Sequence, residues 1–184
     1  HWDGFNWVEQ VKLTATHAVA DDRFGWSVSI SGDAAIIGAY GDDDAGDKSG
    51  SAYVFRRDGS TWSQEAKLTA SDAVTGDWFG NSVSISGDFA LIGAPYDDEG
   101  GTNSGSAYVF RWDGSTWSQE AKLTASDLAA YAYFGNSVSI SGDVVVIGAY
   151  LDDNADSHTG SAYVFRWDGT HWVEQSKLTA SDGE

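Results

Sequence analysis

Between Phe79 and Thr124 the pattern of apolar and polar positions changes character four times. Phe79, Asn81, Val83 and Ile85 alternate with Gly80, Ser82, Ser84 and Ser86, so one face is made only of small residues. That period of two predicts a strand over Phe79–Ser86. After Gly87-Asp88, Phe89–Ala94 is apolar on both faces, and Ser106–Arg111 nearly so, as in strands covered on both sides. Asp113-Gly114 predicts a hairpin turn. Beyond it Trp117, Gln119, Ala121 and Leu123 alternate with Ser118, Glu120, Lys122 and Thr124, the pattern of a half-solvated outer strand.

This four-strand unit, A to D, recurs every 55 residues. Phe24, Phe79 and Phe134 each open FG-x-SVSISGD, with Trp26, Asn81 and Asn136 at the variable position. The same step relates Asp3, Asp58, Asp113 and Asp168, each followed by Gly and then by Trp7, Trp62, Trp117 or Trp172. A repeat of this length is one supersecondary unit that buries its faces only by stacking on neighbours. Four antiparallel strands, with small residues where units crowd together, describe a β-propeller blade. The competing β-solenoid rarely uses four strands and a hairpin per coil. The fold class is therefore all-β, with blades at residues 21–75, 76–130 and 131–184. Residues 1–20 form an extra outer strand belonging to a preceding or neighbouring-chain blade.

Phe79–Pro95 ("FG … IGAP") followed by Ser104–Phe110 ("SGSAYVF") resembles the FG-GAP repeat of integrin α-subunit propellers and their bacterial relatives, three times over. In the first and third copies Tyr40 and Tyr150 replace the Pro of GAP. The resemblance implies a propeller in a secreted or surface-exposed bacterial protein, and an adhesion role. Integrin-type repeats often carry a DxDxDGxxD calcium loop between FG and GAP. Here that stretch holds one Asp (Asp33, Asp88 or Asp143), too few oxygens for a Ca²⁺ shell of six to eight ligands. The family's calcium loop does not carry over.

Three blades do not close a ring, which typically takes four to eight. Either further blades lie elsewhere, or the chain forms a homo-oligomer in which two copies make six blades.

Charge then gives the blade a direction. The chain has 28 acids against 10 basic residues, a net charge of −18, which excludes nucleic acid as a partner. No Cys is present, so disulfides and thiolate chemistry are absent, and no apolar run approaches a membrane span. With blades running A to D outward, 16 acids fall on the rim of B–C and D–A loops and seven in the short turns. Asp42, Asp97 and Asp152 are equivalent, as are Asp43, Asp98 and Asp153, and then Asp44, Glu99 and Asn154. Asp22 and Asp77 stand just ahead of FG, where the third copy has Ala132. Hard oxygen donors in Gly-rich loops favour Ca²⁺ as a cofactor for these acids. The other reading makes them turn caps bonded to nearby backbone N–H groups.

The four His residues occupy inequivalent repeat positions without metal or triad spacing, and no unique cluster breaks the repeat as catalysis requires. The function expected is a non-catalytic extracellular adhesion or protein-interaction module presenting the acidic, Ca²⁺-organised rim. The alternative is a multivalent lectin binding glycans through Trp2, Trp112 and Trp167, which precede the D-G turn on the opposite rim.

Overall fold

A computed structural model describes residues 2–127, 129–152 and 159–181. They contain three four-stranded antiparallel sheets, each with its strands in sequential order. Blade 1 comprises β1 (Ser27–Ser31), β2 (Ala34–Ala39), β3 (Ser51–Asp58) and β4 (Thr61–Leu68). Blade 2 comprises β5 (Ser82–Ser86), β6 (Phe89–Ala94), β7 (Ser106–Trp112) and β8 (Trp117–Leu123). Blade 3 comprises β9 (Phe134–Ser141), β10 (Val144–Ala149), β11 (Ser161–Trp167) and β12 (Trp172–Leu178). No helix occurs among the described residues.

Burial follows the apolar pattern. All six residues of β2 are buried, whereas β4 and β8 bury only their last residue, Leu68 or Leu123, and are half-covered or exposed before it. Each third–fourth strand pair shifts register at one place, leaving Glu65, Glu120 and Gln175 unpaired in turn. Such bulges increase local twist, which the outer strand of a blade needs.

Blades stack in order, β1 against β5 and β5 against β9. The all-small face of strand A forms these junctions. Ser27 Oγ donates to Gly80 O at 2.8 Å, and Ser82 Oγ repeats the bond to Gly135 O at 2.8 Å. Ile85 N donates to Ser29 Oγ, and Ile140 N to Ser84 Oγ. Glycine is required behind the serines, because a Cβ on Gly38 or Gly93 would stand 2.0 or 1.9 Å from the incoming Gly80 or Gly135 carbonyl. Each junction then encloses a core. Ile36 and Val54 pack with Phe79, Val83, Ile85 and Tyr108. Leu91 and Val109 pack with Phe134, Ile140, Val145 and Tyr163.

Two details differ from the sequence-based expectation. In blade 2 the ladder starts at Ser82 rather than Phe79. Gly80 takes a φ of 87°, and Phe79 instead bridges Gly50 of the preceding blade in parallel. Among the described residues the leading segment forms no ladder beyond an isolated Trp2–Trp7 bridge. It nevertheless docks as strand ends dock elsewhere. Leu13 and Ala15 pack on the blade 1 core, and Thr16 N donates to Gln64 Oε1, as Ser71 N does to Gln119 Oε1.

The three sheets do not close into a ring. Replacing Gly93 with Ala is expected to cost about 2–3 kcal/mol in denaturant unfolding, because the Gly135 backbone has nowhere to move. An unchanged midpoint would disprove the tight junction.

Candidate functional site

The loops leaving β2, β6 and β10 turn on one aspartate each. Asp42, Asp97 and Asp152 are 2–4% exposed. Asp42 Oδ1 accepts from Asp44 N at 3.2 Å and Asp97 Oδ1 from Glu99 N at 3.0 Å, closing the turn. The other oxygen faces inward. Tyr53, Tyr108 and Tyr163 donate their hydroxyls to it at 2.9, 2.9 and 3.0 Å. The ammonium groups of Lys67, Lys122 and Lys177, from the outer strands, reach the same oxygen at 2.8, 2.9 and 2.7 Å.

Each lysine gathers further carboxylates. Lys67 meets Asp44; Lys122 meets Asp72 at 2.7 Å and Glu99 at 2.5 Å; Lys177 meets Asp127 at 2.5 Å. Burial pushes the Asp42 and Asp97 carboxyls up, but the lysine, the loop N–H and the tyrosine hydroxyl outweigh it and leave both below the ordinary value. Burial beside the carboxylates pushes the Tyr53 hydroxyl up to about 12, so the tyrosine stays a donor.

The remaining candidates act in turns. Asp43 Oδ1 accepts from Lys48 N at 2.8 Å and Asp98 Oδ1 from Asn103 N at 2.7 Å. Buried Asp22 and Asp77 accept from Val19 N and Val74 N, three residues back. Asp153 lies outside the described residues. This donor set does not fit Ca²⁺. An ammonium already sits among the carboxylates, their inner oxygens are bonded, and no group of three or more metal-type ligands is arranged around a common point among the described residues.

Asp72, Asp77, Asp97, Asp98, Glu99 and Lys122 line an open cleft of about 250 Å³. Burial raises the Asp77 carboxyl to about 6; the Val74 N–H opposes the rise, and the Asp97 and Asp72 charges add to it.

Beside the acids runs a feature the sequence did not disclose. Trp26, Tyr40, Trp78, Tyr96, Tyr133 and Tyr150 form a continuous ladder of rings, with successive centroids 4.3–5.4 Å apart, across all three blades. Trp78 and Tyr133 reach it from left-handed backbone, φ 57° and 55°, a costly conformation for an aromatic residue that packing must hold. The signals available were the Tyr-for-Pro exchange after GA and the aromatic residue before FG. On the opposite rim Trp112 lies against Trp117 and under the Arg56 guanidinium, 5.2 Å from its ring. Trp167 pairs with Trp172, and Trp2, 53% exposed, pairs with Trp7.

Three outcomes follow from the rim's electrostatics. Substituting Lys122 with Met leaves Asp97 buried without its cation and is expected to cost about 3 kcal/mol. Melting of the parent chain in CaCl₂, MgCl₂ or EDTA at matched ionic strength is expected to coincide. A rise specific to Ca²⁺ would show that the lysines yield to the metal. The Asp77 carboxyl titrates near 6 in the fold against an ordinary 3.8, so the folded chain holds the extra proton between those values. Its contribution is full below about pH 3.8 and lost as pH rises through 6. Melting should therefore rise by about 3 °C from this group between pH 7 and pH 5. Asp77→Asn should remove that increment, and an equal rise in the variant would assign it to other groups.

The FG-GAP repeat matches residues 7–55, 62–110 and 117–165, each match running from strand D of one blade position to strand C of the next. No curated protein sequence matches the chain. Among solved structures, Saccharomyces cerevisiae Sqt1 is similar at 11% identity with a TM-score of 0.53, over 88% of this chain and 37% of that one. The likeness concerns the fold alone, and the chain spans little more than a third of that structure's length. With three consecutive repeats matched over most of its length, the chain belongs to the FG-GAP repeat family.

Proposed function

We propose that the chain is a non-catalytic, extracellular adhesion module that binds a protein partner through its loop rim. The family is typically non-catalytic and typically extracellular, and no described helix is long and apolar enough to cross a membrane. One observation carries the reading: an arc of aromatic rings runs between exposed carboxylates on a single rim. At the junction of blades 1 and 2, Tyr40 and Trp78 line a cleft of about 520 Å³ in which Asp21, Asp43 and Asp47 outnumber Arg23 and Lys48. Rings supply apolar area at low entropic cost, and the acids select a basic partner surface and speed its approach.

The rim owes its shape to lysine, in place of the Ca²⁺ expected from composition. Fixed turns presenting Asp43, Asp47 and Asp98 to solvent give a preorganised surface, which lowers the ordering cost of association. The lectin alternative draws less support, because Trp112 is already covered on one face by Arg56.

The test uses a labelled Lys-rich peptide as probe. Binding should weaken steeply with salt, and should fall at least about tenfold on neutralising Asp43, Asp47 and Asp98 to Asn, which keeps the turn acceptors. Equal binding by that variant would sink the acidic-rim reading. Glycan-array binding lost on Trp112→Ala and Trp167→Ala would replace it with the lectin.

A further inference from the structure

The ring ladder on the loop rim is rebuilt from blade to blade and not copied. SVSISGD is identical in all three repeats, yet the rings come from unequal positions. Pro95 holds the place of Tyr40 in blade 2, and Tyr96 stands one residue later, where blade 1 has Gly41. The Tyr96 ring still meets Trp78 at 4.3 Å and Tyr133 at 5.2 Å. Tyr40, Trp78, Tyr96 and Tyr133 form an unbroken run across both internal junctions, and each ring is half-buried, with part of it facing solvent.

The run offers more than apolar area. Trp78 Nε1 and the Tyr40 and Tyr96 hydroxyls have no hydrogen-bond partner among the described residues. Tyr133 Oη accepts from Asn103 Nδ2 at 3.2 Å and keeps its own proton to donate. Burial, with the neighbouring Tyr133, Tyr150 and Tyr40 hydroxyls, raises the Tyr96 hydroxyl above its ordinary value, so it stays a donor. A partner that matches this row needs apolar rings and bare acceptors. A polyproline II segment has both, because proline lacks an N–H and the helix makes no internal hydrogen bonds, which leaves its carbonyls unpaired. It rises about 3.1 Å per residue, so roughly five residues cover the steps of 4.6, 4.3 and 5.2 Å from Tyr40 to Tyr133. Carboxylates flank the run: Asp43 and Asp47 are exposed beside Tyr40 and Trp78, and Asp98 and Glu99 are exposed just past Tyr96.

We propose that the ladder is a docking groove for a proline-rich segment in polyproline II conformation, with lysine or arginine beside the prolines. The assignment rests on the acidic-rim reading and adds the partner's backbone conformation to it. Proline rings rest in the angles between Trp78, Tyr96 and Tyr133, whose planes meet at 45° and 77°. The indole N–H and phenol O–H groups donate to the segment's carbonyls, and its basic residues meet Asp43, Asp47 and Asp98. A segment rich in free N–H groups is served less well, because Trp78 Nε1 cannot accept from them. Both sides are ordered before they meet, the segment by its prolines and the rim loops by the turns that Asp42 and Asp97 close.

Fluorescence anisotropy with two labelled peptides of equal length and charge tests this. One has a proline core flanked by lysines, and the other has glycine and serine in place of the prolines. The proline peptide is expected to bind at least about tenfold more tightly. It should also shift the Trp78 indole N–H resonance, identified by its loss in Trp78→Phe. Tyr96→Ala, which removes a central ring, should bring the two affinities together; the resonance is read on the parent chain and does not depend on how that variant folds. Equal affinities for the parent would overturn the polyproline assignment and leave the acidic rim standing, whereas binding of neither peptide would remove both. A proline peptide that binds without moving the Trp78 resonance sits elsewhere, and that result would overturn the groove.

Discussion

The structure depends on how closely one strand A can approach the next blade. A Gly80 carbonyl beside Gly38, and a Gly135 carbonyl beside Gly93, bring the sheets together at a distance no side chain permits. Serine hydroxyls then satisfy the backbone groups that such an approach would otherwise bury without partners. Small residues therefore do two tasks at the centre of the stack, making room and supplying hydrogen bonds. The large apolar residues are displaced to one side of that contact, where Phe79 and Phe134 fill the wedge that opens as blades diverge outward. With the inner contact fixed, the loops that enter strand A and leave strand B are brought side by side, and the rim inherits its geometry from the centre.

On that rim, burying a carboxylate is costly, and the chain offsets the cost with its own cation. At 2.9 Å, in an effective dielectric near 20, an ion pair is worth roughly 5–6 kcal/mol before desolvation. Removing both charges from water costs several kcal/mol per ion, so the pair alone gains little. The surrounding bonds decide the balance: Asp97 receives a loop N–H, a tyrosine hydroxyl and an ammonium at once. Such a network adds more to the definition of the loop than to net stability. A calcium site would define the loop equally well, but would make it depend on the metal concentration outside.

Much of this architecture was legible in the sequence. Phe89–Ala94 and Ser106–Arg111 required only their double-sided apolar pattern, and the 55-residue step placed the loops on a common rim. Lys122 was less accessible. Alternation along β8 put it with Ser118 and Glu120 on a solvated face, yet its ammonium folds back over the Tyr108 ring to Asp97. The clue lay in its spacing, since Lys12, Lys67, Lys122 and Lys177 account for four of ten basic residues in an acidic chain. The aromatic ladder was hidden for a different reason. Left-handed backbone is anticipated at Gly or Asn, so nothing local marks Trp78 and Tyr133 as adopting it. The conformation belongs to the turn that enters strand A, since Arg23 shares it at φ 62° and the same bond closes each copy, Trp26 N to Arg23 O, Asn81 N to Trp78 O and Asn136 N to Tyr133 O.

Neutral junctions and charged rims divide the work of the repeat. Blade-to-blade faces lack charge in strands A and B, so each copy can be duplicated beside the last without altering the electrostatics of the contact. The rim loops differ among copies, with Asp44, Glu99 and Asn154 at one position and Asp22, Asp77 and Ala132 at another. The loops leaving β2, β6 and β10 keep a common anchor through this variation, each with its own Asp–Tyr–Lys set. Stacking sets these dissimilar loops side by side on one rim, with the aromatic ladder running between them. Binding specificity in such an array can change loop by loop while the stack that carries it stays constant.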